Sequence, residues 1–358
     1  MRYVVRALLG LLLLVILWFV VTPTGHYLLK AAKAEGGILA RRRSIAQMIA
    51  DPATPPPVAA KLRLVLAARA FAADSVKLVA KKSFTTYSHL DRDTLVLVLS
   101  GAYRDRLEAY TWWFPIVGRV PYKGFFDFDL ARSSERELAA RGFDVYLRPS
   151  PAFSTLGWFN DPVLSTSLKA DSIDLANTVI HELTHNTFYA SGQAVFNESF
   201  ANFVGARGSA WFFRSRGDAT SADEADARWS DDKLMARFWD GLYHEMDSAF
   251  KAHPGDQNER ARLVARDTIY ARARTELVQV LGPQLRTIGP YVLERTRLDN
   301  AALLAHRIYL TDVDLFDDVW EREHENLPAA VARIIALARS RPRDPFGAVR
   351  DWLKAPAG

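Results

Sequence analysis

His181-Glu182-Leu183-Thr184-His185, followed after a short gap by Asn197-Glu198-Ser199-Phe200-Ala201-Asn202, holds the side chains of a zinc hydrolase within one stretch of chain. Side chains four apart on a helix lie about 40° from one another around its axis, so His181 and His185 can grip one ion. Glu182 is turned about 100° from His181, beside an open coordination position, where it can take a proton from water as a general base without being a ligand. Zinc held by three protein groups lowers the pKa of its water to about 7, which supplies a nucleophile and a Lewis acid together. A third ligand is therefore needed. Phe188 and Ser191 stand where a Gly and a His could have extended the motif, so the ligand must come from elsewhere. Glu198 is the candidate, since it follows a turn around Ser191-Gly192 and opens a second helical run, Phe196 to Gly205, expected to lie antiparallel to the first. Asn202, one turn beyond Glu198, could accept a hydrogen bond from the far ring nitrogen of a ligand histidine and fix its tautomer.

The elements that must position these groups can be read on either side. Ile173 to Ile180 puts apolar residues at helical spacing, so Ser172 to Ala190 reads as a buried helix carrying the histidines. Upstream, Thr94 to Leu99, Ala109 to Val117, Lys123 to Asp127 and Asp144 to Leu147 read as strands, with a helix at Ser133 to Arg141. Downstream almost every segment is helical, with breaks at residues 215–223 and at Pro254-Gly255-Asp256. This order predicts an α+β fold in which a small mixed sheet walls one side of the cleft and helices the other. The segment Phe153 to Asp161 is the expected edge strand for an extended substrate. Asp161 is a candidate carboxylate for a substrate amine, although its place before Pro162 also suits a turn. Tyr110 to Phe114 reads as core and cleft wall. His244, His306 and His324 lack companions at ligand spacing and are expected to be structural.

Ala152 to Thr166, His181 to His185 and Phe196 to Ala201 together resemble the bacterial family of predicted aminopeptidases, gluzincin-like zinc peptidases. Gly25 to Ala32, Arg41 to Ile45 and Trp113 to Asp127 fit the same pattern, so the resemblance runs from residue 25 to about 320. It implies a zinc-dependent peptidase with a thermolysin-like cleft, assigned as an aminopeptidase by relation to other gluzincins. Tyr309, in the expected helix Asn300 to Leu310, lies in a segment that shares the resemblance and is the first choice for donating to the oxyanion; Tyr189 is the alternative. The gap between His185 and Glu198 is shorter than in thermolysin-like enzymes, which leaves a tight connection in place of an inserted subdomain.

The chain of 358 residues is 49% hydrophobic, ample for a core. Its net charge of +5 is spread along the sequence with no basic-aromatic platform, which argues against nucleic-acid binding. The absence of cysteine excludes disulfides, thiol catalysis and the cysteine-linked lipid anchor that the resembling family often carries. Ala7 to Val21 is an uninterrupted apolar run behind Arg2 and Arg6, with no good cleavage site after it, so residues 1–24 are expected to form a membrane anchor or signal. Residues 25–75 then read as a helical neck, broken at Asp51 to Pro57. Residues 76–358 read as the zinc peptidase domain, rich in strands to about 170. The expectation is a single-pass protein of the bacterial inner membrane with a periplasmic Zn2+ site acting on peptides. An envelope endopeptidase and a non-catalytic protein that retains zinc are the alternatives.

Overall fold

A computed structural model describes residues 2–114, 118–150 and 160–356, with the side chains at 7, 11, 12, 15, 16 and 23 left out of the description. The chain opens with α1 (Arg2–Val21) and α2 (Pro23–Ala40), then β1 (Arg43–Ser44), α3 (Ile45–Ala50) and α4 (Pro56–Asp74). A strand-rich stretch follows: β2 (Thr86–Ser88), β3 (Val96–Ala102), β4 (Ala109–Tyr110), β5 (Trp112–Phe114), β6 (Gly118–Val120) and β7 (Tyr122–Phe125). It ends with α5 (Phe128–Ala140), β8 (Asp144–Ser150) and β9 (Val163–Leu164). From there the described chain is helical: α6 (Ser172–Thr187), α7 (Ala194–Ser215), α8 (Ala219–Lys251), α9 (Glu259–Thr275), α10 (Pro290–Arg295) and α11 (Asn300–Tyr309). The last three are α12 (Val313–Arg322), α13 (Leu327–Ser340) and α14 (Pro345–Lys354). The mixed α+β content expected from the sequence is present, and beyond α4 the strand-rich stretch precedes the helical one.

β3 is the hub of the main sheet. It pairs antiparallel with β4 and β7 along one edge and with β8 along the other, where Val98 stands opposite Arg148. β8 therefore forms an outer strand among the described residues. A second small sheet orders β1, β2 and β9, with β2 and β9 parallel. Capping explains several boundaries that the apolar pattern left open. Asp127 caps α5 through the Leu130 N–H at 3.1 Å, which starts the helix at Phe128, earlier than the expected Ser133. Asp171 caps α6 through Ile173 and Asp174, both at 2.9 Å. Its other oxygen meets Arg228 of α8 at 2.7 Å, so the start of α6 is fixed to a second helix.

The main core joins α4, α6, α7, α12 and α13. Leu62, Val65 and Ala68 of α4 and Leu175, Val179 and Leu183 of α6 are buried with Phe200, Phe203 and Phe316. Helix α4 thus packs directly against α6. The segment written as a neck supplies a wall of this core.

The apolar leader does form a helix, but its expected role needs correction. Spanning a bilayer takes about 20 predominantly apolar residues. Among the described residues no helix is long and apolar enough to cross a membrane. The single-pass anchor, and with it the inner-membrane and periplasmic placement, has no support from the structure.

Candidate metal centre

α6 and α7 bring the motif residues together. Glu198 lies beside His185 and His181, Asn202 beside His181, and Gly205 beside Asn177, so positions descend along α6 as they ascend along α7 and the pair is antiparallel. A Cβ on Gly205 would lie 2.3 Å from Asn177 Oδ1 and 3.2 Å from His181 Cβ, so the absence of a side chain there lets α7 approach the histidine helix. The turn between the helices is held by Asn197, 2% exposed. Its side-chain oxygen accepts from the Ala190 N–H and its amide donates to the Ala190 carbonyl, each at 2.8 Å. Gly192 supplies the positive φ of 75° that the turn requires. Glu198 is the next residue after this clamp.

The outcome is a compact triangle. His181 Nε2 and His185 Nε2 are 3.2 Å apart; Glu198 Oε2 is 3.5 Å from the first and Oε1 3.7 Å from the second. Donor atoms on a zinc tetrahedron with bonds of about 2.05 Å are separated by roughly 3.3 Å, so the three residues fit a divalent ion of that size. The three side chains could hold a metal ion. Burial alone would raise the Glu198 carboxyl, but hydrogen bonds and charge from both histidines overcome this and hold it at about 2. For His181, burial favours the neutral ring, and the Glu198 and Glu182 carboxylates outweigh it and raise its pKa.

Glu182 acts on this cluster through charge, contributing to the upward shifts of both His181 and Tyr309. Asn202 donates its amide to the Tyr309 carbonyl at 2.7 Å and hydrogen-bonds the His181 ring. With the amide nitrogen engaged, its oxygen is the atom left to face the imidazole. Tyr309 lies at the end of α11, with its phenol against Arg148 of β8 at 3.2 Å. Burial raises the Tyr309 pKa; Glu198 and Glu182 add to this and Arg148 opposes it. Because a guanidinium only donates, Tyr309 accepts from Arg148 and keeps its own O–H proton free for another partner.

A buried polar network locks β8 to α11. Asp144 at the start of β8 accepts from the Asn300 N–H at 3.0 Å and from Arg266 at 2.5 Å, and Asn300 accepts from the Tyr270 hydroxyl at 2.6 Å. The strand bearing Arg148 and the helix bearing Tyr309 are thereby one unit.

Tyr189 is 41% exposed, its ring 6.4 Å from that of His185. Asp161 is placed by its carbonyl, which accepts from the Phe84 N–H at 2.9 Å, and its charge acts on Glu35 of α2, whose carboxyl is raised by burial and then by Asp161. Of the expected edge strand Phe153 to Asp161, residues 153–159 lie outside the described residues. His306 stacks on Trp239 at 4.4 Å, and burial with Arg148 nearby lowers it to about 4. His244 lies 3.4 Å from Asp240. A cavity of about 850 Å³ opens elsewhere, lined by Trp211, Arg214 and Trp320, so donor chemistry and not volume marks the metal centre.

The sequence reading missed Asn197, Gly205, Arg148 and Tyr122. Tyr122 is 42% exposed, yet the protein around its phenol, with Tyr309, Glu198 and Tyr189 nearby, pushes it up to about 12. Only Asn197 carried a local signal, as a polar residue in the first turn beside Glu198.

These features define a mixed α+β protein with a two-histidine, one-carboxylate cluster built on an antiparallel helix pair. Residues 26–345 match the family model described as "Putative aminopeptidase", and the chain belongs to that family. No curated protein and no solved structure matches it.

Proposed function

We propose that this protein is a zinc-dependent aminopeptidase of gluzincin type, with His181, His185 and Glu198 as the residues that would hold Zn2+. The observation that carries the reading is the convergence of one donor atom from each residue within 4.8 Å, with the imidazole nitrogens 3.2 Å apart and each within 3.7 Å of a Glu198 oxygen, close to the donor spacing of a zinc tetrahedron. Bound there, zinc would act as a Lewis acid and make water acidic enough to attack at neutral pH. Glu182 takes the proton of the attacking water and returns it to the leaving amine. Tyr309, whose oxygen already accepts from Arg148, aims its O–H at the negative charge that develops on the scissile carbonyl. Asn202 holds the His181 ring and the end of α11 in register. Asp161 is the carboxylate assigned to the free amine of the substrate.

The test compares the full-length protein with its Glu182→Gln variant on amino-acid amides and on internally quenched N-acetylated peptides. The variant should keep one zinc per chain and lose about 100- to 10,000-fold in kcat, the usual worth of a positioned base. Asp161→Asn should raise KM for substrates with a free amine. Hydrolysis confined to the N-acetylated peptides would turn the assignment to an endopeptidase; a variant as active as the parent would exclude this site as the catalyst.

A further inference from the structure

Arg148 belongs with Arg69, Arg92 and Arg274, half-buried arginines with no carboxylate partner among the described residues, but it donates to the Tyr309 hydroxyl where those three donate to backbone carbonyls. Arg207 pairs with Asp317 at 2.8 Å, Arg262 with Asp105 at 2.9 Å and Arg266 with Asp144 at 2.5 Å. Arg148 is half-buried on the outer strand β8 and donates once among the described residues, to the Tyr309 phenol at 3.2 Å, with its guanidinium 5.2 Å from the Tyr309 ring centre. It has no acidic partner among the described residues. A guanidinium offers five N–H donors in a fixed fork that fits a carboxylate in two places at once, and among the described residues only one of these donors is engaged. A cation withdrawn from bulk water without a counter-charge is costly, and an anion supplied from outside removes that cost.

The position of Arg148 narrows what that anion is. Arg148 touches the residue assigned to the scissile carbonyl, and its charge is felt by Tyr122, which also senses Glu198. In a dipeptide the terminal carboxylate follows the scissile carbonyl by one residue, a step of roughly 3.8 Å. Two hydrogen bonds in series, 3.2 Å from Arg148 to the Tyr309 oxygen and about 2.7 Å from there to the carbonyl oxygen, span about the same reach as one residue step plus one hydrogen bond.

We propose that Arg148 binds the C-terminal carboxylate of the residue leaving the active site, which makes short peptides with a free C-terminus, dipeptides above all, the preferred substrates. This rests on the peptidase reading of the metal centre. Arg148 is then a specificity-determining residue: it tells a free carboxylate from an amide or a continuing chain.

The experiment measures kcat/KM of the full-length, zinc-loaded protein for leucyl-leucine and for leucyl-leucinamide, which differ only in the terminal group. The parent should favour the dipeptide by about tenfold to a hundredfold, the range for a charge-assisted hydrogen bond. In Arg148→Gln that ratio should fall to about one. Arg148→Lys, which keeps the charge and loses the fork, should retain part of it, and this variant carries the test if the glutamine variant fails to bind zinc. A parent that treats both substrates alike, or a variant that keeps the preference, overturns the proposal while leaving the peptidase reading intact. A zinc-loaded parent that hydrolyses neither substrate overturns both.

Discussion

At the scale of single residues the site is governed by competition for a proton. The two histidines hold the Glu198 carboxyl at about 2 and the neighbouring carboxylates raise His181, so a metal ion would compete with a proton for the imidazole. Metal affinity should therefore weaken as pH falls from neutrality, because a ligand histidine binds only when its donor nitrogen is free. Zinc titrations at descending pH, read by calorimetry or a competing chelator, check this, and Glu198→Ala should flatten the dependence as well as lower the affinity. Asn197 is predicted to matter as much as a ligand. Asn197→Ala strips partners from both polar groups of Ala190 in a buried turn, at a cost of about 1–3 kcal/mol for each group left unpaired. It should lower both the melting temperature and the zinc affinity. The clustering of His181, His185 and Glu198 was legible in sequence because two of them stand four apart on one helix and the third opens the next. The residues that aim them were not: Asn197 acts through a turn whose geometry is set by the packing of two helices, and Arg148 meets Tyr309 only after the sheet folds against α11.

At the scale of elements the long helices were legible and their ends were not. The apolar periodicity of Ile173 to Ile180 located α6, while its first turn is decided by Asp171 and by Arg228 from a helix more than fifty residues on. The strand expected over Ala109 to Val117 is divided: β4 pairs with β3, whereas β5 pairs with β6 in a separate ribbon. Residues 115–117 of that stretch lie outside the described residues. Partner choice of this kind depends on tertiary contacts that periodicity does not encode. The contact of α6 with α7 yields a sharp prediction. Gly205→Ala places a methyl 2.3 Å from Asn177 Oδ1 and 3.2 Å from the Asn177 carbonyl, and the backbone has little room to give. The helices should be forced apart beside His181, with a loss of about 1–3 kcal/mol in stability and weaker zinc binding. The same change at Gly241, which has nothing within 4 Å, should be tolerated in a parallel denaturation series.

At the scale of the whole molecule, buried charges tie the helical layers together and set the response to pH. Asp317, 4% exposed, accepts from Arg207, Lys233 and the Trp229 indole, linking α7, α8 and α12. Burial would raise its carboxyl, but the two cations more than compensate and hold it below its usual value. A depressed carboxyl contributes stability that is present above its unfolded pKa near 4 and is lost as pH drops through the folded value. Asp317→Asn should cost about 3 kcal/mol at pH 7 by leaving Lys233 unpaired and Arg207 with Asp226 alone, with the deficit shrinking in acid. Asp232 acts in the opposite sense: burial first, then Asp231 and Asp174, push it up to about 7. Its ionisation opposes folding as pH rises from about 4 through 7, so Asp232→Asn should raise the melting temperature at pH 8 and change it little at pH 4.

The central claim is that one zinc ion is held by His181, His185 and Glu198. Anomalous diffraction recorded on either side of the zinc absorption edge, from crystals of the full-length protein grown with one equivalent of zinc, addresses it directly. The account predicts a single peak at about 2.0–2.2 Å from both imidazole Nε2 atoms and from a Glu198 carboxylate oxygen. A peak at other residues, or none at this triangle in zinc-loaded crystals, would contradict it.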